Sequence, residues 1–367
     1  MSVSGRPHDE NRNARHAGAS VTSIVPTVEL APGYRIPRII RGGWQLSGDH
    51  GAVDRERALS DMTTFIHTGL NTMDCADIYT GVEDMYGEFN ARRAGQGLDG
   101  LQVHTKFVPD YGDLACVDAA YVRRIVTRSL RRLRTERLDL VQFHWWDYQV
   151  AGWVEAAQTL EALRKEGLIA NIGGTNFDSR HTAVMLDAGV PLVSMQVQYS
   201  LLDRRARAGL AELCSQRGMH LLCYGTLAGG FFSERWLGQD EPLSGITNRS
   251  LVKYKLVIDE FGGWVAFQAL LRALKDIGER HGVSIATVAT RWVLEQPAVA
   301  AAIVGARYAD RIGETLAVFG LQLEPEDHAA IDAILAVHPG PMGDTYTLER
   351  DKTGAHGRIM KYDLNQT

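Results

Sequence analysis

Short apolar runs alternate with longer stretches of mixed polarity along most of the chain. The runs fall at 37–40, 71–74, 101–106, 138–144, 170–173, 192–198, 220–224 and 299–304. Runs this short and this continuous fit strands covered on both faces. Between them, segments 54–68, 118–134, 153–165 and 284–295 space apolar residues three and four apart, as a helix with one buried stripe requires. Tyr121, Val122, Ile125, Leu130 and Leu133 form one such stripe, preceded by Asp118. Asp54 and Ser284 stand where a helix start needs a side-chain acceptor, and Gly69 and Gly167 where a helix stops.

Eight such strand–helix pairs predict a closed (β/α)8 barrel, the TIM-barrel architecture. An open doubly wound sheet fits less well, because no G-x-G-x-x-G follows any strand. Ahead of the first strand, 28–30 and 34–36 flank Ala31-Pro32-Gly33, which reads as a hairpin covering one barrel end. The rhythm breaks between Leu227 and His281, an insertion after the seventh strand with a helix near 264–280. A last helix is expected from Glu324-Pro325-Glu326, with proline in its first turn. The expected division is a polar, disordered N-terminal tail at 1–22, the barrel at 23–337 and a C-terminal tail at 338–367.

Composition narrows the function classes. The 39 Lys and Arg against 44 Asp and Glu give a net charge of −5, which argues against a nucleic-acid footprint. No apolar run approaches the ~18 residues of a membrane span. Residues 1–20 lack the apolar centre of a secretory signal. The 4 cysteines show no C-x-x-C spacing, so neither a zinc knuckle nor a disulfide framework is expected. Reduced thiols and a cytoplasmic location are the expectation, with no metal, no nucleic acid and no membrane partner.

Barrel active sites lie where strands end. The second predicted strand ends on Asp74 and leads to Tyr79, the third ends on Lys106 and the fourth on His144. An acid, a phenol, an ammonium and an imidazole at one rim suit hydride chemistry at a carbonyl. Oxygen that gains negative charge needs a proton donor, and an ammonium beside a phenol lowers its otherwise high pKa. Asp74 would orient Lys106, and His144 would bond and polarise the carbonyl oxygen. Each residue alone has a plainer reading: Asp74 as a loop acceptor, Tyr79 as a packed aromatic, Lys106 as a rim charge, His144 as a core histidine. Their meeting at one face is what favours chemistry. His104 shares strand parity with Lys106 and is read as barrel interior.

At these positions the sequence resembles the aldo-keto reductase superfamily. Asp74-Cys75-Ala76-Asp77-Ile78-Tyr79 is similar to its D-x-A-x-x-Y segment, and Thr105-Lys106 and Leu138 to His144 resemble its Lys and His segments. Gly167 to Asn176 resembles its G-x-x-x-x-I-G-x-S-N stretch, and the likeness runs from about Arg35 to Phe319. It departs at Thr315, where Asn is usual, and after Tyr224, where Ser-Pro is common. The resemblance implies a catalytic tetrad of Asp74, Tyr79, Lys106 and His144, with Tyr79 as general acid or base. It also implies an extended nicotinamide cofactor across the barrel mouth. Gly43 and Trp44 would lie beside the cofactor, with Asp74 near the nicotinamide ribose. Thr175, Asn176 and Gln198 would contact the carboxamide, and Tyr224 would stack on the ring. Gly225, Thr226, Leu227 and Ala228 would track the pyrophosphate. Gly305, Arg307, Arg311, Glu314 and Thr315 would surround the adenosine end.

Arg307 and Arg311 are four apart, which on one helical face at a helix start would pair two guanidiniums for a 2′-phosphate. NADP(H) is therefore expected in preference to NAD(H), the plainer reading being an Arg311–Glu314 ion pair. Trp44, Tyr79, His144 and Trp145 are expected to contact the substrate, with Trp146 and Tyr111 nearby. Lys253 and Lys255 read as a solvated part of the insertion. The expected activity interconverts an aldehyde or ketone and its alcohol. The alternatives are a nicotinamide-binding redox-sensing regulatory subunit with little turnover, and a Schiff-base enzyme using Lys106. The natural substrate, the working direction and the oligomeric state stay open.

Overall fold

A computed structural model describes residues 25–47, 52–242, 246 and 248–365. The N-terminal stretch expected to be a tail thus lies outside the described residues. The hairpin pairs β1 (Thr27–Ala31) antiparallel with β2 (Tyr34–Pro37). Eight parallel strands then close on themselves: β3 (Ile39–Gly42), β4 (Thr72–Asp74), β5 (Gln102–Phe107), β6 (Leu138–Phe143), β7 (Ile169–Thr175), β8 (Leu192–Gln198), β9 (His220–Tyr224) and β10 (Val299–Gly305), with β10 returning to β3. All eight expected runs are barrel strands. The first begins two residues later than its apolar run, because Pro37 still belongs to the hairpin.

Helices separate the strands: α1 (Arg55–His67), α2 (Val82–Ala94), α3 (Ala119–Leu133), α4 (Trp153–Lys165), α5 (Ser179–Asp187) and α6 (Leu210–Arg217). Next come α7 (Arg249–Phe261), α8 (Gly263–His281), α9 (Ile285–Leu294), α10 (Ile312–Gly320) and α11 (Pro325–Val337), then the short α12 (Thr347–Arg350) and α13 (Ala355–Arg358). The expected caps are present, with the carboxylates of Asp54 and Asp118 accepting from Arg57 N and Tyr121 N and the Ser284 hydroxyl from Thr287 N. Among its described residues, the insertion holds two α-helices rather than one. The additional α7 buries Tyr254, Val257, Ile258 and Phe261.

Two apolar layers result. The larger fills the space between strands and helices. The smaller joins Leu30 and Ile36 of the hairpin to Ile40, Leu140 and Leu222 inside the barrel, so the hairpin closes the N-terminal end as expected. Gly87 lets α2 touch α3, since a Cβ there would sit 2.1 Å from Arg132 O. The C-terminal stretch is not a loose tail. It crosses the opposite end of the barrel, with Ser179 N bonded to Asp344 at 3.0 Å and Asn365 N to Asp110 at 2.9 Å. Among the described residues, no helix is long and apolar enough to cross a membrane.

Candidate active site

Strand register puts the chemistry together. Asp74 ends β4 opposite His104 of β5, and two residues on, Lys106 pairs with Gln142 of β6. The buried Lys106 Nζ donates to Asp74 Oδ1 at 2.7 Å and to Cys75 O at 2.6 Å. Asp74 Oδ1 also accepts from Gln196 Nε2 at 2.6 Å. The half-buried Tyr79 ring lies 5.0 Å from Lys106 Nζ and 5.0 Å from the Trp44 ring. The buried His144 bonds Thr175 O through Nδ1 at 3.0 Å, and its Nε2 meets no partner among the described residues. A carbonyl can only accept, so Nδ1 carries the proton.

These four residues line one cavity of about 740 Å3 that runs across the strand ends. One end is walled by Trp146, Tyr346, Met360 and Leu364, and the other by Arg307, Arg311 and Thr315. Trp44, Thr175, Asn176, Tyr224, Gly225, Thr226, Leu227, Gly305 and Glu314 also border it. Asn176 Oδ1 accepts from the Tyr224 hydroxyl at 2.8 Å, leaving its Nδ2 protons for a ligand.

Several expected residues stand elsewhere. Gln198 gives its amide to Asp203 at 2.6 Å and does not border the cavity, whereas Gln196, on the same strand face, does. Trp145 is fully buried against Phe143 with its indole donating to Asp147 O and Val150 O, and Trp146 borders the cavity instead. Gly43 lies under the floor of the cavity, where a Cβ would come 2.4 Å from Asp74 O. Ala228 is buried behind Leu227 and Gly229. Arg307 and Arg311 do not share a helical face. Arg307 lies in the loop after β10 with Nε 3.3 Å from Gln45 O, and Arg311 stands just ahead of α10 with its Nε 3.7 Å from the Glu314 carboxylate. Lys253 is no solvated loop residue; it faces the cavity from α7, with Nζ 5.1 Å from the Tyr224 ring.

Electrostatics correct one expectation. Burial, and then the Asp74 carboxylate, hold the Tyr79 phenol well above its ordinary range. These outweigh the expected lowering by Lys106, whose ammonium is paired with Asp74 at 2.7 Å. Burial and the nearby Arg350 and Lys106 cations push His144 down to about 3, so its imidazole is neutral.

The sequence profile of the aldo/keto reductase family matches residues 38–336. The chain belongs to this family. It is similar to flagellar radial spoke protein 5 of Chlamydomonas reinhardtii, 27% identical over 324 residues that cover 72% of this chain and 61% of that protein. It thus spans less than two thirds of that relative. It is also similar to the uncharacterized oxidoreductase YrpG of Bacillus subtilis, 26% identical, with 85% of this chain and 95% of that protein covered. The solved glycerol dehydrogenase AKR11B4 from Gluconobacter oxydans superposes with a TM-score of 0.73 at 26% identity, covering 88% of this chain and 98% of that one. Aldo/keto reductases are oxidoreductases that act on small carbonyl or alcohol substrates.

Proposed function

We propose that the protein interconverts an aldehyde or ketone and its alcohol, using NADP(H) in preference to NAD(H), with Tyr79 moving the proton. The observation that carries this reading is the buried Lys106–Asp74 pair beside Tyr79, with His144 on the same rim of one elongated cavity. A bound nicotinamide would supply or accept the hydride. The cavity suits such a group: it is long, and it presents the Asn176 amide and a buried Thr226 hydroxyl that has no partner among the described residues. Asn176 and Thr175 would hold the carboxamide, with Gln196 in place of Gln198. Tyr224 would stack on the ring, and Gly225, Thr226 and Leu227 would border the pyrophosphate. Arg307 and Arg311 would meet the 2′-phosphate, Arg311 leaving Glu314 to do so.

Tyr79 keeps its proton at neutral pH, which is the form that donates to a carbonyl oxygen gaining charge. Lys106 and Asp74 neutralise each other and fix the floor under the phenol. Neutral His144 spends its proton on Thr175 O and offers Nε2 as an acceptor. It therefore orients a hydroxyl in its resting form, and donates to a carbonyl only after taking a second proton. The two acceptors on Lys106 Nζ tie down its ammonium, which speaks against a Schiff-base role.

Cofactor titration tests the reading. The protein is expected to bind NADPH more tightly than NADH, and to bind neither would reject it. Replacing Arg307 and Arg311 together is expected to weaken NADPH far more than NADH. Equal losses would remove the 2′-phosphate assignment.

A further inference from the structure

The family match ends at residue 336, yet the chain beyond it reaches the candidate site. Arg350, the last residue of α12, places its guanidinium between two strand ends. Nη1 donates to Trp145 O and, at 2.7 Å, to Trp146 O. Nη2 donates to Asn176 O and to the Tyr148 hydroxyl, each at 2.8 Å. The first two oxygens directly follow His144, and the third belongs to the residue after Thr175, which holds His144 Nδ1. One side chain thus ties the loop after β6 to the end of β7.

Asn176 shows why such a tie matters. Its backbone is left-handed, with φ of 61°, a conformation that asparagine tolerates better than most side chains and that two backbone contacts here fix in place. Asn176 N donates to Gln196 O at 2.9 Å on one side, and Arg350 holds its carbonyl on the other. Arg350 is itself fixed from behind. The adjacent Glu349 is buried and accepts two bonds from Arg205, both at 3.0 Å, while Arg205 also pairs with Asp203 at 2.7 Å.

We propose that Arg350 is a positioning residue for the reaction, holding the backbone that aims His144 and Asn176 into the cavity. It does not border the cavity itself, so it acts through those residues and not on a ligand. Its planar fork reaches four acceptors from two nitrogens, one more than the three donors of an ammonium could satisfy. The charged and titratable groups around His144 are Arg350, Lys106 with its partner Asp74, Tyr79 and Tyr346, whose ring stands edge-on at 5.6 Å. The proposal rests on the carbonyl-reductase reading for its kinetic consequence, and on geometry alone for the state of His144.

The test compares full-length Arg350→Gln and Arg350→Lys with the wild type. Imidazole nitrogen NMR shifts at neutral pH, assigned with His144→Asn, read the tautomer of His144. Turnover is followed with NADPH and para-nitrobenzaldehyde. The wild type is expected to show one tautomer protonated at Nδ1, and both variants a mixture. Misaiming of this kind is expected to lower kcat roughly ten- to a hundredfold, with a smaller change in aldehyde KM. A folded variant with wild-type tautomer and kcat overturns the proposal. So does failure of both variants to fold, which makes Arg350 purely structural. Absence of turnover in the wild type instead counts against the carbonyl-reductase reading, and the tautomer measurement still judges Arg350.

Discussion

The barrel holds a buried histidine at each end, and the two look alike until their partners are compared. Burial, followed by cationic neighbours, pushes both His104 and His144 down to about 3. At the hairpin end, His104 Nε2 meets the Tyr34 hydroxyl at 3.0 Å, inside a sealed apolar layer. At the opposite end, His144 turns its unpartnered Nε2 to the side where the cavity lies. A strongly shifted titration therefore does not by itself mark a site. What separates the two is whether a ligand can reach the nitrogen left over.

That contrast breaks most sharply with Tyr79→Phe. Removing the proposed proton carrier at the mouth is expected to cut turnover by roughly a hundred- to ten-thousandfold while thermal stability and cofactor binding stay close to wild type. Unchanged turnover would reject the role of the phenol.

Acid unfolding offers the next test. Both histidines have pKa values lowered from 6.5 to about 3, so the unfolded chain takes up their protons first. Each contributes stability that is present above pH 6.5 and lost as pH falls toward 3. His104→Asn and His144→Asn should each flatten that part of the stability profile measured by denaturant unfolding. Only His144→Asn should also lower kcat. Loss of turnover in a folded His104→Asn protein would erase the distinction between the two ends.

The smallest effect is expected from Tyr34→Phe. It leaves His104 without its partner and should cost roughly 1–3 kcal/mol of stability, read as a lower unfolding midpoint. Its kcat/KM should match the wild type, since no atom of the hairpin borders the cavity.

The sequence made the barrel legible because eight buried strands cannot hide their apolar runs. Caps at Asp54, Asp118 and Ser284 were legible because one side chain does each job locally. The chemistry of Asp74, Tyr79, Lys106 and His144 was visible because strand ends are visible. Finer choices failed where local pattern is silent. Gln196 and Gln198 share one strand face, and what separates them is Asp203, which captures the second amide. Trp145 and Trp146 follow the strand end, where alternation no longer tells inside from outside. Arg307 and Arg311 looked like helical neighbours because a strand end and a tight turn can mimic a four-residue spacing. The insertion helix α7 does have a local signal, because Leu251, Tyr254, Val257, Ile258 and Phe261 carry a helical stripe of their own. The C-terminal crossing was hidden, because its anchor, the Arg205–Glu349 pair, joins residues 144 apart in sequence.

That crossing makes the two chain directions unequal for anyone attaching something to the protein. Asn365 is pinned beside Asp110, in the loop that follows Lys106, so a tag, linker or surface tether fused after it would emerge against the cavity rim. Val25 lies against Gly69, just before β4 begins, at the sealed hairpin end. An immobilised form joined ahead of Val25 would face its opening away from the support, and would keep the crossing segment and its anchors undisturbed.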